Sequence, residues 1–153
     1  MDNKEFKKML SLCLEKKGFK YNKKRYYKYT DNLIIVVDTQ KSNFDNSYYV
    51  NYAFFVKEIY NGDDYPKTKD GDIRGRFGFD YEGETYDYYL LNVENKNTIK
   101  NSFEYNINNV LLPVTKFGIN KYFELFPKAI CTSTNKLQHY LRDNNLLNKQ
   151  QRM

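Results

Sequence analysis

The chain has 153 residues, 16 of them Tyr and 11 Phe, and a formal net charge of +6. That length suits one domain with its own core. No run of about 18 apolar residues is present to span a membrane, Met1–Lys8 has no apolar signal core, and Cys13 and Cys131 make no disulfide framework, so a cytoplasmic protein with two mostly buried free thiols is expected.

Asp2-Asn3-Lys4-Glu5 has capping-box spacing, with Asp2 as N-cap. The helix that follows puts Phe6, Met9, Leu10, Cys13 and Leu14 on one face, and Gly18 supplies the left-handed residue that ends it. Phe19–Thr30 reads as one basic, aromatic strand in which Arg25, Tyr27 and Tyr29 share a face and Tyr26 and Lys28 the other. Asp31-Asn32 turns the chain into Leu33–Lys41, and Ser42–Ser47 turns it again into Tyr48–Ile59. Leu33–Val37 and Tyr48–Val56 are apolar on both alternating faces, which places them at the centre of a sheet.

Tyr60–Asp72 is a polar loop longer than most connections. Ile73–Phe79 is expected as a fourth strand, with Arg74 and Arg76 on one side. An acidic turn, Asp80–Glu84, leads to a fifth at Tyr86–Val93. The period then changes. Ile99, Phe103, Ile107 and Val110 predict a helix over Thr98–Leu111 stopped by Pro113, and Ile119, Tyr122, Phe123 and Phe126 a short one before Pro127. Ser133 or Thr134 caps a last helix with Leu137, Tyr140 and Leu141 facing inward. The expected fold is α+β: a single domain over residues 1–144, with an antiparallel meander of about five strands, an N-terminal helix and C-terminal helices packed on it, and a frayed tail at 145–153.

Charge is segregated. Residues 1–30 hold ten Lys or Arg against Asp2, Glu5 and Glu15. Such a patch attracts nucleic acid, an acidic protein or an anionic surface, and it equally forms the solvated side of a helix and an edge strand. Catalytic constellations are harder to find. His139 is the only imidazole and is expected to face solvent, which leaves no Ser–His or Cys–His pair. Two distant Cys and one His fit no zinc spacing, the acids at 63–72 and 80–87 follow no EF-hand order, and the phosphate loop and the dinucleotide fingerprint are absent. No catalytic residue, metal or cofactor is therefore assigned. The candidate binding residues are Gln40, Lys41, Ser42, Arg74 and Arg76 as an anion- or carboxylate-binding cluster, and Lys23, Lys24, Arg25 and Tyr27 as a surface for bases and phosphates; Gln40 and Ser42 equally suit the satisfaction of loop backbone groups, with Lys41 blunting the strand end.

The helix ending Lys17-Gly18-Phe19-Lys20, the basic aromatic strand, Leu33–Val37 leading into Gln40-Lys41-Ser42 and the return strand Ser47-Tyr48-Tyr49-Val50-Asn51 together resemble the bacterial family DUF4304. The likeness covers most of residues 3–125 in order of elements and takes in Ile73-Arg74-Gly75-Arg76 and Tyr88–Leu91. The resemblance implies a fold and a cytoplasmic bacterial setting, and small, variable families of that kind often supply immunity proteins against toxins. Three functions follow as expectations. The first is a non-catalytic protein that binds an acidic partner, in its most specific form a toxin; the alternatives are a nucleic-acid-binding module working through residues 1–30 and an enzyme acting on a phosphorylated or anionic substrate.

Overall fold

The computed structural model of the chain describes residues 1–91, 94 and 96–146. Helix α1 spans Asn3–Glu15; the Asp2 carboxylate accepts the Glu5 N–H at 2.8 Å, and Phe6, Leu10, Cys13 and Leu14 are buried along one stripe. Gly18 then takes φ +90°, which lets the Phe19 N–H reach back to the Leu14 carbonyl at 3.1 Å.

The expected single strand over Phe19–Thr30 is a hairpin of two, β1 (Lys20–Asn22) and β2 (Arg25–Tyr29). Its turn is Lys23-Lys24, with φ of +51° and +70°. Two successive positive φ values make a primed turn, which matches the twist of paired strands; neither lysine carries the usual Gly or Asn signal for it. Thr30 closes the next turn by accepting the Leu33 N–H at 2.9 Å. β3 (Leu33–Lys41) and β4 (Ser47–Val56) then pair antiparallel from Leu33↔Val56 to Lys41↔Tyr48. Both are buried on both faces along most of their length, as their continuous apolar runs require.

β5 (Ile73–Arg76) continues the meander on β4 and stops three residues before the expected strand does. The chain leaves at Phe77-Gly78, and Phe79–Tyr81 (β6) pairs with Glu84–Tyr86 (β7) in a separate ribbon. The break is held by Asn106, whose side chain donates to the Gly78 carbonyl at 2.9 Å and accepts the Gly78 N–H at 3.2 Å. The expected fifth strand, Tyr86–Val93, is accordingly divided: its start belongs to β7, and only Tyr89–Leu90 (β8) returns to β4. Asn92 and Val93 lie outside the described residues. Among the described residues the main sheet thus has six strands, ordered β1-β2-β3-β4-β5 with β8 beside β5 on the same edge of β4.

The inner face of the sheet is covered by α1 and by α2 (Lys96–Asn106). Phe6 stacks on Tyr48 with centroids 5.2 Å apart, and Phe103 meets Tyr89 edge-on at 4.9 Å. Each such buried ring contributes about 2–3 kcal/mol relative to exposure. Pro113 does not stop this helical stretch. A π-helical turn at Ile107–Leu111 leads into α3 (Leu112–Phe117), with the Leu112 N–H bonded to the Ile107 carbonyl. Pro113 lies just past the π turn, where the widened helix accommodates a residue that lacks an N–H. Gly118, at φ +92°, ends the run instead. α4 (Ile119–Leu125) buries Ile119, Tyr122 and Phe123, while Phe126 is exposed. α5 (Asn135–Asp143) is capped by Thr134 and buries Leu137 and Leu141, leaving His139 exposed. Leu146 N–H closes α5 onto the Leu141 carbonyl at 2.8 Å; the rest of the expected frayed tail, 147–153, lies outside the described residues. Both cysteines are free, but only Cys13 is buried; Cys131 is exposed on the turn before α5. The architecture is α+β in a single domain. No helix among the described residues is long and apolar enough to cross a membrane.

Candidate functional site

Side chains alternate across the sheet, so the strand register decides what shares its outer face. Tyr27, Ile34, Val36, Ala53 and Phe55 form an apolar half of that face. The 60–72 loop roofs it, and the Tyr27 hydroxyl donates to the Pro66 carbonyl at 2.9 Å. The pairs Asp38↔Asn51 and Asn51↔Arg76 continue the same face one step along as a polar row. Arg25 joins the row at its β2 end, with Nε 3.5 Å from the Asp38 carboxylate.

The row is bonded from strand to strand. The Asn51 amide donates to Asp38 Oδ1 and to Gln40 Oε1, each at 3.1 Å, and accepts Arg76 Nε at 3.1 Å. The loop adds Thr68, whose hydroxyl donates to Asp38 at 2.7 Å. Arg76 is further fixed by Asp87 at 3.1 Å and by the Tyr49 ring, whose centroid lies 3.9 Å from the guanidinium carbon. A flat cation over an aromatic face with a carboxylate at its edge keeps its position while remaining partly exposed. Arg74 points out beside it and donates to the Lys69 carbonyl at 3.2 Å, with no carboxylate partner among the described residues.

Together these groups line an open cavity of about 600 Å³, whose polar walls include Gln40, Asn51, Lys69, Arg74, Arg76 and Asp87. Three cations face one carboxylate across neutral amides and the Thr68 and Thr132 hydroxyls. Tyr52 and Gly75 complete the lining at the β5 end. The Tyr52 hydroxyl is paired with that of Tyr122 at 2.8 Å, and burial pushes its pKa far above the ordinary tyrosine value, so the phenol stays neutral. Chemically, the cavity offers fixed and mobile donors to an anionic group: the Arg76 and Arg74 guanidinium groups, the Lys69 ammonium and the side-chain amides.

The structure thus brings Gln40, Arg74 and Arg76 into one place, with Arg25 connected to them through Asp38 and Asn51. The other candidates lie elsewhere. Tyr27 is 1 % exposed, so its ring has no face to offer a base. Ser42 closes the β3–β4 hairpin, accepting the Phe44 N–H at 3.1 Å, and Lys41 is exposed at the same end. Lys23 and Lys24 form the β1–β2 turn, where Lys23 lies 5.8 Å from the Tyr65 ring. Asn51, Tyr49, Lys69 and Asp87 belong to the site without having been singled out; the pairing register reveals Asn51, set between Asp38 and Arg76, and Tyr49, set opposite Gln40, whereas Lys69 and Asp87 come from loops. Among the described residues, no three His, Cys, Asp or Glu side chains come together to hold a metal ion. Asp72, in the acidic loop, is instead buried and accepts the Val56 N–H at 2.9 Å.

A family model described as a domain of unknown function, DUF4304, matches residues 10–116. No curated protein matches the chain, and no solved structure does.

Proposed function

The chain belongs to the DUF4304 family of domains of unknown function, and from that premise we propose that it is a cytoplasmic, non-catalytic binding protein that takes an acidic surface of a partner protein on the outer face of its sheet. In its most specific form the partner is a bacterial toxin and the protein its immunity factor. One observation carries the reading: the open cavity presents Lys69, Arg74 and Arg76 against a single carboxylate, with Arg76 held in place by Asn51, Asp87 and Tyr49. Charge complementarity of this kind speeds encounter and selects partners, and prepositioned side chains lose little freedom on binding.

The direct test is co-purification with the product of the neighbouring gene, followed by titration of wild type and of the Arg74→Glu, Arg76→Glu double variant. Both arginines are exposed, so the variant should fold. Complex formation is expected, with affinity lowered on the order of a hundredfold by the double reversal. Equal affinity of the two proteins would refute the assignment of the site.

A second reading is favoured by Tyr21 and Tyr29, which are exposed on the lysine-rich β1–β2 hairpin and could stack on bases. It predicts single-stranded nucleic-acid binding that weakens steeply with salt and is lost on replacing Lys23, Lys24 and Arg25 by Glu. Salt-independent or absent binding removes it.

A further inference from the structure

Resting on the binding reading above, the geometry points to how the acidic partner docks: an extended acidic segment adds as a strand to the free edge of β5. The direction of the β5 backbone follows from its pairing. Phe77 N–H donates to the Val50 carbonyl at 2.9 Å, in register with Asn51↔Arg76 and Tyr52↔Gly75. Hydrogen-bonded positions alternate along an antiparallel strand, so Gly75 shares the bonding phase of Phe77. The N–H and C=O groups of Arg74 and Arg76 therefore face away from β4, toward the cavity side.

Both ends of this edge are marked. Asp72 N–H bonds to the Phe54 carbonyl at 2.9 Å although Phe54 is paired with Ile73, which is a bulge, and the Asp72 carbonyl is taken by Thr134 N–H at 3.1 Å. At the other end Asp87 holds Arg76. Between them β5 runs for about 13 Å. Gly75 turns to the opposite face from the two arginines, where the Tyr52 ring lies against it; a Cβ there would overlap that ring. The opposite edge of the sheet, β1, is one residue shorter and carries Lys20 and exposed Tyr21.

Charge selects the occupant. Residues 74 and 76 project from the same face, about 7 Å apart along the strand, which is the spacing of alternate side chains in an added strand. A segment with carboxylates at alternate positions meets Arg74 and Arg76 with its side chains while its backbone meets theirs. Lys69 reaches the same cavity from the loop.

The test uses the full chain and a short, end-blocked peptide of alternating glutamate and valine. Two companion peptides are N-methylated, one on every glutamate and one on every valine. In an added strand, alternate residues turn their N–H groups to opposite edges, so one methylated peptide keeps its affinity and the other loses about tenfold or more. Amide hydrogen exchange at Arg74 and Arg76 slows on saturation with the parent peptide, while Gly75, already bonded to β4, is unaffected. Failure of the parent peptide to bind, equal binding by all three peptides, or unchanged exchange at Arg74 and Arg76 would overturn strand addition. The same amide slowing by inorganic phosphate alone would overturn it as well, by revealing a small-anion subsite. The acidic-partner reading fails separately, if the Arg74→Glu, Arg76→Glu variant binds the parent peptide and the protein partner as wild type does.

Discussion

Replacing Asp72 by Ala tests how the site is anchored, because Asp72 immediately precedes β5. Asp72 is 5 % exposed, and its carboxylate does two jobs: Oδ2 accepts the Val56 N–H at 2.9 Å and Oδ1 accepts the Thr134 hydroxyl at 3.1 Å. Thr134 is itself the N-cap of α5, accepting the Leu137 N–H at 3.2 Å. Removing the carboxylate leaves a buried Val56 N–H without its acceptor and loosens the cap. An orphaned buried donor costs about 1–3 kcal/mol, and a hydrogen bond to a charged group contributes about 1.5–3 kcal/mol. Asp72→Ala should therefore destabilise the fold by about 3 kcal/mol, a fall in Tm of about 6–12 °C for a chain of this size. Asp72→Asn, which keeps an acceptor for Val56, should cost about 1 kcal/mol. Urea unfolding of Asp72→Ala, Thr134→Val and the double variant completes a cycle, and the double should fall short of the sum by about 0.5 kcal/mol or more. An Asp72→Ala variant within about 0.5 kcal/mol of wild type, or strict additivity with Thr134→Val, would show that the carboxylate does not anchor β4 and α5 together.

Two further outcomes follow from backbone strain and from buried phenols. Replacing Lys23-Lys24 by Asn-Gly relieves two positive-φ lysines and should raise stability by about 1 kcal/mol in urea; no gain would mean that the turn is not primed. Burial raises the pKa of Tyr52, and also those of Tyr89, Tyr122 and Tyr26. Unfolded tyrosines release their protons near pH ~10 while the folded ones keep them, so the unfolded state binds fewer protons there. Stability is then fully present below pH ~10 and falls as pH rises through the folded pKa values. Tyr52→Phe should lessen that alkaline loss while costing about 1 kcal/mol at neutral pH through the unpaired Tyr122 hydroxyl; an unaltered alkaline slope would contradict it.

The centre of the sheet was legible because Leu33–Val37 and Tyr48–Val56 must be buried on both faces, and continuous apolar runs say so directly. α1 was legible too, since Asp2, the apolar stripe and Gly18 all agree. The misreadings come from places where tertiary packing overrides a local signal. Lys23-Lys24 carries no turn residue, so the β1–β2 hairpin looked like one strand. Phe77 and Phe79 continue the alternation of β5, yet Asn106 takes both polar groups of Gly78 from a helix distant in sequence and sends the chain into another ribbon. Burial of Val110, Leu111 and Val114 on both sides of Pro113 carries the helix past it through a π turn. In the site, Gln40, Arg74 and Arg76 were visible as polar residues at strand ends and edges. Asn51 was not, because an amide inside an apolar strand acquires meaning only when Asp38 and Arg76 are known to flank it. Tyr27 was misplaced for the opposite reason: alternation gives the face but not the loop that covers it.

Amide chemical-shift mapping of the isotope-labelled protein with its purified partner decides whether the partner lies on the Arg74–Arg76 side of the sheet. Binding on that side concentrates the shifts at Gln40, Asn51, Lys69, Arg74, Gly75 and Arg76. Shifts confined to α1 and the Lys23-Lys24 turn, with Arg74–Arg76 unmoved, would contradict it.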